Sequence, residues 1–316
     1  MPAEPFIETH DLTVRFGGTT ALDSVDVSVA RGTVLGLLGH NGAGKTTLVN
    51  VLSTLLKPTS GTARVAGLDV TRDGAAVRSR VGLTGQFAAV DEMLSGRNNL
   101  VLLARLLGAG RREAVRRADE LIELFELTDA AERRAGSYSG GMRRRLDLAA
   151  GMVGRPDVIF LDEPTTGLDP VSRLGLWSVV EGLVGEGATV LLTTQYLEEA
   201  DRLADSIAVL GSGRILASGT TRDLKTQVGE CTVHATLRTP GDLPAAVAAL
   251  RAAGLTPTYD EALLRLSVPA ESSADLAGVV RAVDAAGLTV AALGYAEPTL
   301  DDVYLSLNHQ RALAAA

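Results

Sequence analysis

The chain has 316 residues, 46% of them hydrophobic and 22% charged, which excludes a disordered polymer and leaves room for two domains. Its formal net charge of −8 argues against a nucleic-acid binder, which carries a basic face. A single cysteine, Cys231, excludes an intrachain disulfide and a cysteine-based metal site, and with only 3% aromatics the cores must be built from Leu, Val, Ile and Ala. The first ten residues, MPAEPFIETH, lack the basic and apolar regions of a signal peptide. No stretch approaches the roughly 18 apolar residues of a membrane helix, so the chain is expected in the cytosol, reaching a membrane only through a partner.

In chain order, Leu12, Val14 and Phe16, then Val25, Val27 and Val29, alternate with polar residues. That period predicts half-buried antiparallel strands turning at Gly17-Gly18 and Arg31-Gly32. TVLGLLG is a continuous apolar run, the pattern of a central strand covered on both faces, and it leads through a glycine-rich loop into a helix starting near Lys45. From about Asp91 to Leu127 the apolar spacing is helical. DVIFLD and ATVLLTT are two more buried strands, and SIAVLGSGRILASG reads as a hairpin around Gly211-Ser212-Gly213. Strands alternating with helices predict an α/β fold with a mostly parallel sheet. Arg143-Arg144-Arg145 and the arginines between Arg111 and Arg117 read as solvated helix faces.

After Gly219 the texture changes to strand, helix, strand, helix, strand, with a short further strand near Thr256–Tyr259. We expect a small α+β domain of βαββαβ, ferredoxin-like order over residues 223–316, following a first domain over 1–222. Thr299 and Asp302 have capping-box-like spacing for a final helix whose Leu300, Val303, Tyr304 and Leu307 share one face. That helix either completes the small core or helps clamp a partner.

Gly39-His40-Asn41-Gly42-Ala43-Gly44-Lys45-Thr46 matches G-x-x-x-x-G-K-[ST], between a strand and a helix as that motif requires. The loop's N–H groups form a nest for phosphate oxygens, Lys45 adds charge, Thr46 offers magnesium a hydroxyl, and the helix start is partially positive. His40 has no required role. VIFLDEP ends a strand in two carboxylates, Asp162 and Glu163. Alone they read equally well as a solvated loop. Beside a phosphate loop they read as a magnesium ligand and a general base for an attacking water.

Tyr138-Ser139-Gly140-Gly141-Met142 resembles the signature motif of ABC-type ATPases, which read Leu-Ser-Gly-Gly-Gln; the first and last positions depart. The resemblance covers about residues 5 to 220. It implies that Gly39, Asn41, Gly42, Ala43, Gly44, Lys45, Thr46 and Thr47 bind ATP in one copy, and Ser139, Gly140 and Gly141 in the other. It further implies that Phe16 stacks on adenine, that Thr46, Gln86 and Asp162 serve Mg2+, and that Asp169, in Thr166-Gly167-Leu168-Asp169, lies at the dimer interface. Two copies would sandwich two ATP molecules head to tail as a homodimer, driving a separate polytopic permease from the cytoplasmic face of the cell membrane.

Gln195, in LLTTQYLEEAD, stands where that family usually carries a histidine contacting the γ-phosphate. Its amide can donate a hydrogen bond but carries no charge and shuttles no proton. With Glu163 present as base, the expectation is an active but slow ATPase. TTQYLEEAD, the single cassette and the tail EPTLDDVYLSL are similar to drug-resistance ATPases of the daunorubicin-exporter type, implying efflux of an antibiotic-like molecule. The same branch includes exporters of glycolipids and polysaccharide precursors. Two further readings are a soluble ABC ATPase acting on DNA or ribosomes, whose fused cassettes, zinc sites or basic arms this chain lacks, and an ATP-gated regulator, for which Gln195 and Met142 speak.

Overall fold

A computed structural model describes residues 5–84, 90–228, 231–270, 274–304 and 306. The chain divides into two compact units, Met1–Thr221 and Arg222–Ala316. In the first, chain order runs β1 (Pro5–Phe16), β2 (Thr19–Ala30), β3 (Val34–Leu38), α1 (Lys45–Leu52), β4 (Ser60–Val65), β5 (Leu68–Asp69), α2 (Gly74–Arg78) and β6 (Val81–Thr84). There follow α3 (Gly96–Leu106), α4 (Arg111–Leu124), α5 (Gly140–Gly151), β7 (Val158–Asp162), α6 (Pro170–Gly185), β8 (Thr189–Thr194), α7 (Leu197–Leu203), β9 (Ser206–Gly211) and β10 (Arg214–Gly219).

The central sheet has the order β10-β9-β3-β8-β7-β6, parallel except for the β9–β10 hairpin. Strands β3, β7 and β8 are buried at every position, which is why they appear in the sequence as unbroken apolar runs. The strand period nevertheless divides them between two cores. Val158, Phe160 and Leu191 face the layer built from β1, β2 and α1, while Ile159, Leu161, Val190 and Leu192 face the helices. Each fully buried Phe or Leu of this kind contributes about 1.5–3 kcal/mol. Register pairs Leu38 with Thr194 and Asp162 with Thr193, so the C-terminal ends of β3, β7 and β8 share one edge. In open α/β sheets that edge is where ligands bind.

A second, antiparallel sheet, β2-β1-β4-β5, flanks the first. β4 to β6 are weak in the sequence because SGTARV turns only Ala63 and Val65 inward. The stretch from Asp91 to Leu127 resolves into α3 and α4, joined to α5 through Leu100, Ala118, Leu121, Phe125 and Leu146.

The arginine runs are not simple solvated faces. Arg117 donates to the Met152 carbonyl at 2.6 Å, and burial lowers its pKa. Arg143 pairs with Glu92 and Arg145 with Glu126, at 2.8 and 2.9 Å. Arg144 turns inward, and its contacts are described below.

The second unit begins within α8 (Thr221–Val228) and continues with β11 (Cys231–Leu237), α9 (Leu243–Ala252), β12 (Thr258–Asp260), β13 (Arg265–Ala270), α10 (Ala274–Ala285) and β14 (Val290–Ala296). The antiparallel sheet runs β12-β13-β11-β14, the split-βαβ order, and α9 and α10 supply Val247, Leu250, Val279 and Val283 to its core. Thr299 and Asp302 make the reciprocal capping bonds, Thr299 N–H to Asp302 Oδ2 at 2.9 Å and Asp302 N–H to Thr299 Oγ1 at 3.2 Å. Leu300 and Val303 are buried on that helix; Leu307 lies outside the described residues.

Candidate active site

The loop from Gly39 to Gly44 leaves the buried end of β3 and opens α1. Its shape needs glycine at both ends. A Cβ at Gly39 would stand 2.5 Å from the Leu210 carbonyl oxygen, and one at Gly44, whose φ is +113°, would stand 2.7 Å from that of Ala21. The loop walls a cleft of about 250 Å³ lined by Ala21, His40, Asn41, Gly42, Gly44, Lys45, Thr46, Thr47 and Glu163. Gly39 and Ala43 are buried behind the loop and shape it from below. The Lys45 ammonium is 4% exposed and donates to the carbonyls of Gly39 at 2.7 Å and His40 at 3.3 Å. It lies 3.3 Å from Glu163 Oε1.

Asp162 ends β7 almost fully buried. Thr46 Oγ1 donates to its Oδ2 at 3.0 Å and Thr193 Oγ1 donates to its Oδ1. A hydroxyl and a carboxylate so placed are hard oxygen donors of the kind that hold Mg2+, which takes one or two carboxylates and completes its shell with water and substrate phosphates. The hydroxyl of Thr46 and the carboxylate of Asp162, 3.0 Å apart, therefore fit a magnesium whose other ligands are water and substrate phosphate. Glu163, next in sequence, has φ +49°, a left-handed backbone that costs a non-glycine residue about 1–3 kcal/mol. Its N–H is held by the Thr193 carbonyl and hydroxyl, both at 3.1 Å.

Ser139 caps α5, its hydroxyl accepting from Met142 N–H at 3.2 Å, and stands exposed with Gly140. Both departures from the usual signature have packing reasons. Tyr138 is buried and donates its hydroxyl to the Ala130 carbonyl at 2.7 Å, and Met142 packs on the helical core. A Cβ at Gly141 would sit 2.6 Å from Ser172 Oγ, so the signature helix and α6 meet there. Ser172 is in turn held by Asp169, the N-cap of α6, which accepts from the Val171 and Ser172 amides at 3.0 Å. These hydrogen bonds, that from the Ser172 hydroxyl first, keep the Asp169 carboxyl below its usual range. Gly140, Arg143, Arg144, Glu163 and Thr166 line a second cleft of about 360 Å³. Ser139 does not line the Lys45 cleft.

Gln195 is exposed in the bend after β8, one residue beyond the Leu38–Thr194 pair and thus on the same sheet edge as the Lys45 loop. Phe16 is 52% exposed at the end of β1, and the adjoining strand β2 supplies Ala21 to the cleft. Gln86 lies outside the described residues.

The family model described as ABC transporter matches residues 22–166, from within β2 to Thr166, just past Glu163. Daunorubicin resistance ATP-binding protein DrrA3 of Streptomyces coeruleorubidus is 54% identical over 97% of this chain and 96% of its own length. The chain belongs to the ABC transporter family. Doxorubicin resistance ATP-binding protein DrrA of Mycobacterium tuberculosis (strain ATCC 25618 / H37Rv) is 47% identical over 92% of this chain and 89% of its own. Among solved structures, the ATP-binding subunit of an ABC transporter superposes with TM-score 0.64 at 28% identity, covering 70% of this chain and 92% of that one. The chain is accordingly an ABC-type ATPase.

In this ABC ATPase several residues outside the motif readings hold the site in place: Thr193 bonds Asp162 and Glu163, Tyr138 anchors the start of the signature helix, and Arg144 turns inward. Glu199 reads in sequence as half of an acidic helix start. Glu198 is exposed, whereas Glu199 is fully buried and accepts from Trp177 Nε1 at 3.1 Å. Burial pushes the Glu199 carboxyl up, with the hydrogen bond from Trp177 pulling the other way, while Glu199 Oε2 is buried without a hydrogen-bond partner. Folding therefore favours the protonated acid. Stability is complete below the unfolded carboxyl range and falls as pH rises from there through the raised folded value. Glu199→Gln keeps an acceptor for Trp177 and cannot ionise. Thermal unfolding across pH should show it level with wild type near about pH 4 and more stable at neutral pH. A parallel offset at all pH values contradicts this.

Proposed function

We propose that this chain hydrolyses ATP to drive export of a drug-like molecule, as a homodimer docked to a separate membrane permease. The observation that carries the catalytic reading is the convergence on one sheet edge of Lys45, Thr46, Asp162 and Glu163. Lys45 and the loop amides hold the β- and γ-phosphates. Mg2+, taken by Thr46 and Asp162, supplies neutralisation of charge on the phosphate oxygens. Glu163 orients a water and accepts its proton as the water oxygen bonds to the γ-phosphorus and the bond to ADP breaks. Gln195 donates a neutral hydrogen bond to the γ-phosphate, and Phe16 offers a face to adenine. Gly140 of the signature lines a different cleft from the one that Gly42 and Gly44 of the loop line, which supports a site completed by the signature of a second copy across Asp169.

Among the described residues no helix is long and apolar enough to cross a membrane, so membrane coupling rests on a partner. Drug export is supported by likeness to the daunorubicin- and doxorubicin-resistance proteins over nearly the whole chain, second unit included. The test is daunorubicin accumulation in the native host. Cells lacking the chain, or carrying only Glu163→Gln, should retain more drug than wild type. Equal retention in all three strains contradicts drug export.

The Gln195 assignment makes a separate prediction. A charged donor is roughly twice as strong as a neutral one. Gln195→His should therefore raise turnover by a few-fold, up to about tenfold, in purified protein. Unchanged turnover removes Gln195 from the reaction, and slower turnover contradicts the charged-donor argument.

A further inference from the structure

Arg144 lies one turn inside α5, the helix that Ser139 caps. Its Nε donates to the Pro164 carbonyl at 2.7 Å, and its Nη2 donates to the carbonyls of Asp162 and Glu163, each at 3.1 Å. These are three consecutive carbonyls at the point where β7 stops. The Glu163 N–H is fixed from the opposite side by Thr193. The left-handed turn at Glu163 is thus gripped on both its peptides. Such a conformer persists in a non-glycine residue only where the surroundings over-determine it. Burying the guanidinium lowers the Arg144 pKa, with the charges of Asp147, Asp162 and Glu199 opposing. Its planar fork suits acceptors spread along an arc, whereas a lysine would offer a compact point charge.

We propose that Arg144 is a positioning residue for hydrolysis: through the backbone of residues 162–164 it sets the direction in which Glu163 presents its carboxylate. The helix that presents Ser139 thereby aims the base. The inference rests on the reading of Glu163 as general base, and it assigns Arg144 no contact with ATP.

The experiment compares purified wild type, Arg144→Lys, Arg144→Ala, Glu163→Gln and the Arg144→Lys/Glu163→Gln double variant in magnesium-dependent ATP turnover and ATP binding. Misplacing a reacting group by about 1 Å costs about 10²-fold. Arg144→Lys should therefore lose about 10- to 100-fold in kcat, with KM and the ATP dissociation constant within about twofold of wild type. The double variant should be no slower than Glu163→Gln, because Arg144 acts only through that carboxylate. Millimolar guanidinium should restore part of kcat to Arg144→Ala and none to Glu163→Gln, which keeps the test intact if Arg144→Lys folds poorly. The proposal is overturned by an Arg144→Lys kcat within about twofold of wild type, or by an additive loss in the double variant. A wild type no faster than Glu163→Gln fails the general-base reading itself and takes this proposal with it. That outcome is distinct from an active wild type whose Arg144 variants match it.

Discussion

Glu163→Gln should lower magnesium-dependent phosphate release by about 10²–10⁴-fold while ATP still binds. The substitution keeps the side chain's shape and leaves a carbonyl oxygen able to accept from Lys45 Nζ, now 3.3 Å away. Its backbone demand, φ +49°, is no worse for glutamine than for glutamate. What it removes is the ability to take a proton from water, since a neutral amide is no base at neutral pH. A steady-state phosphate assay with calorimetric ATP binding separates the two effects. Turnover within a few-fold of wild type would place the base elsewhere.

Lys45→Ala should abolish useful ATP affinity. The ammonium is nearly fully buried and pinned by the Gly39 and His40 carbonyls, so its position is set before ATP arrives. Hydrogen bonds to charged groups contribute about 1.5–3 kcal/mol each, so losing the contacts of one ammonium to the phosphates should weaken binding by about 10²-fold or more. The variant also leaves the Glu163 carboxylate beside the loop without its cation. Nucleotide titration of the folded variant is the check, and affinity within about threefold of wild type contradicts the assignment.

These two residues were legible in the sequence because phosphate chemistry constrains the backbone itself. The Gly39 and Gly44 positions admit no Cβ, and the strands that carry the motifs are buried throughout. What was not legible depends on direction. Arg143, Arg144 and Arg145 are indistinguishable in a run, but about 100° separates neighbours on a helix. Two of them reach surface glutamates and the third reaches the turn that carries Glu163. Glu198 and Glu199 divide in the same way, one exposed and one buried against Trp177. The departures at Tyr138 and Met142 were visible as departures. Their cause, an anchor to Ala130 and a place in the helical core, required the packing.

The central claim is that one ATP is held between the Lys45 loop of one copy and the Ser139 helix of another. Mixing two inactive variants tests it most directly. Lys45→Ala and Ser139→Arg should each be inactive alone. In a two-fold dimer their heterodimer joins the intact loop of one chain to the intact signature of the other, so an equimolar mixture should recover up to about a quarter of wild-type turnover. No recovery on mixing folded, exchanging variants, beside an active wild type, would contradict the shared site.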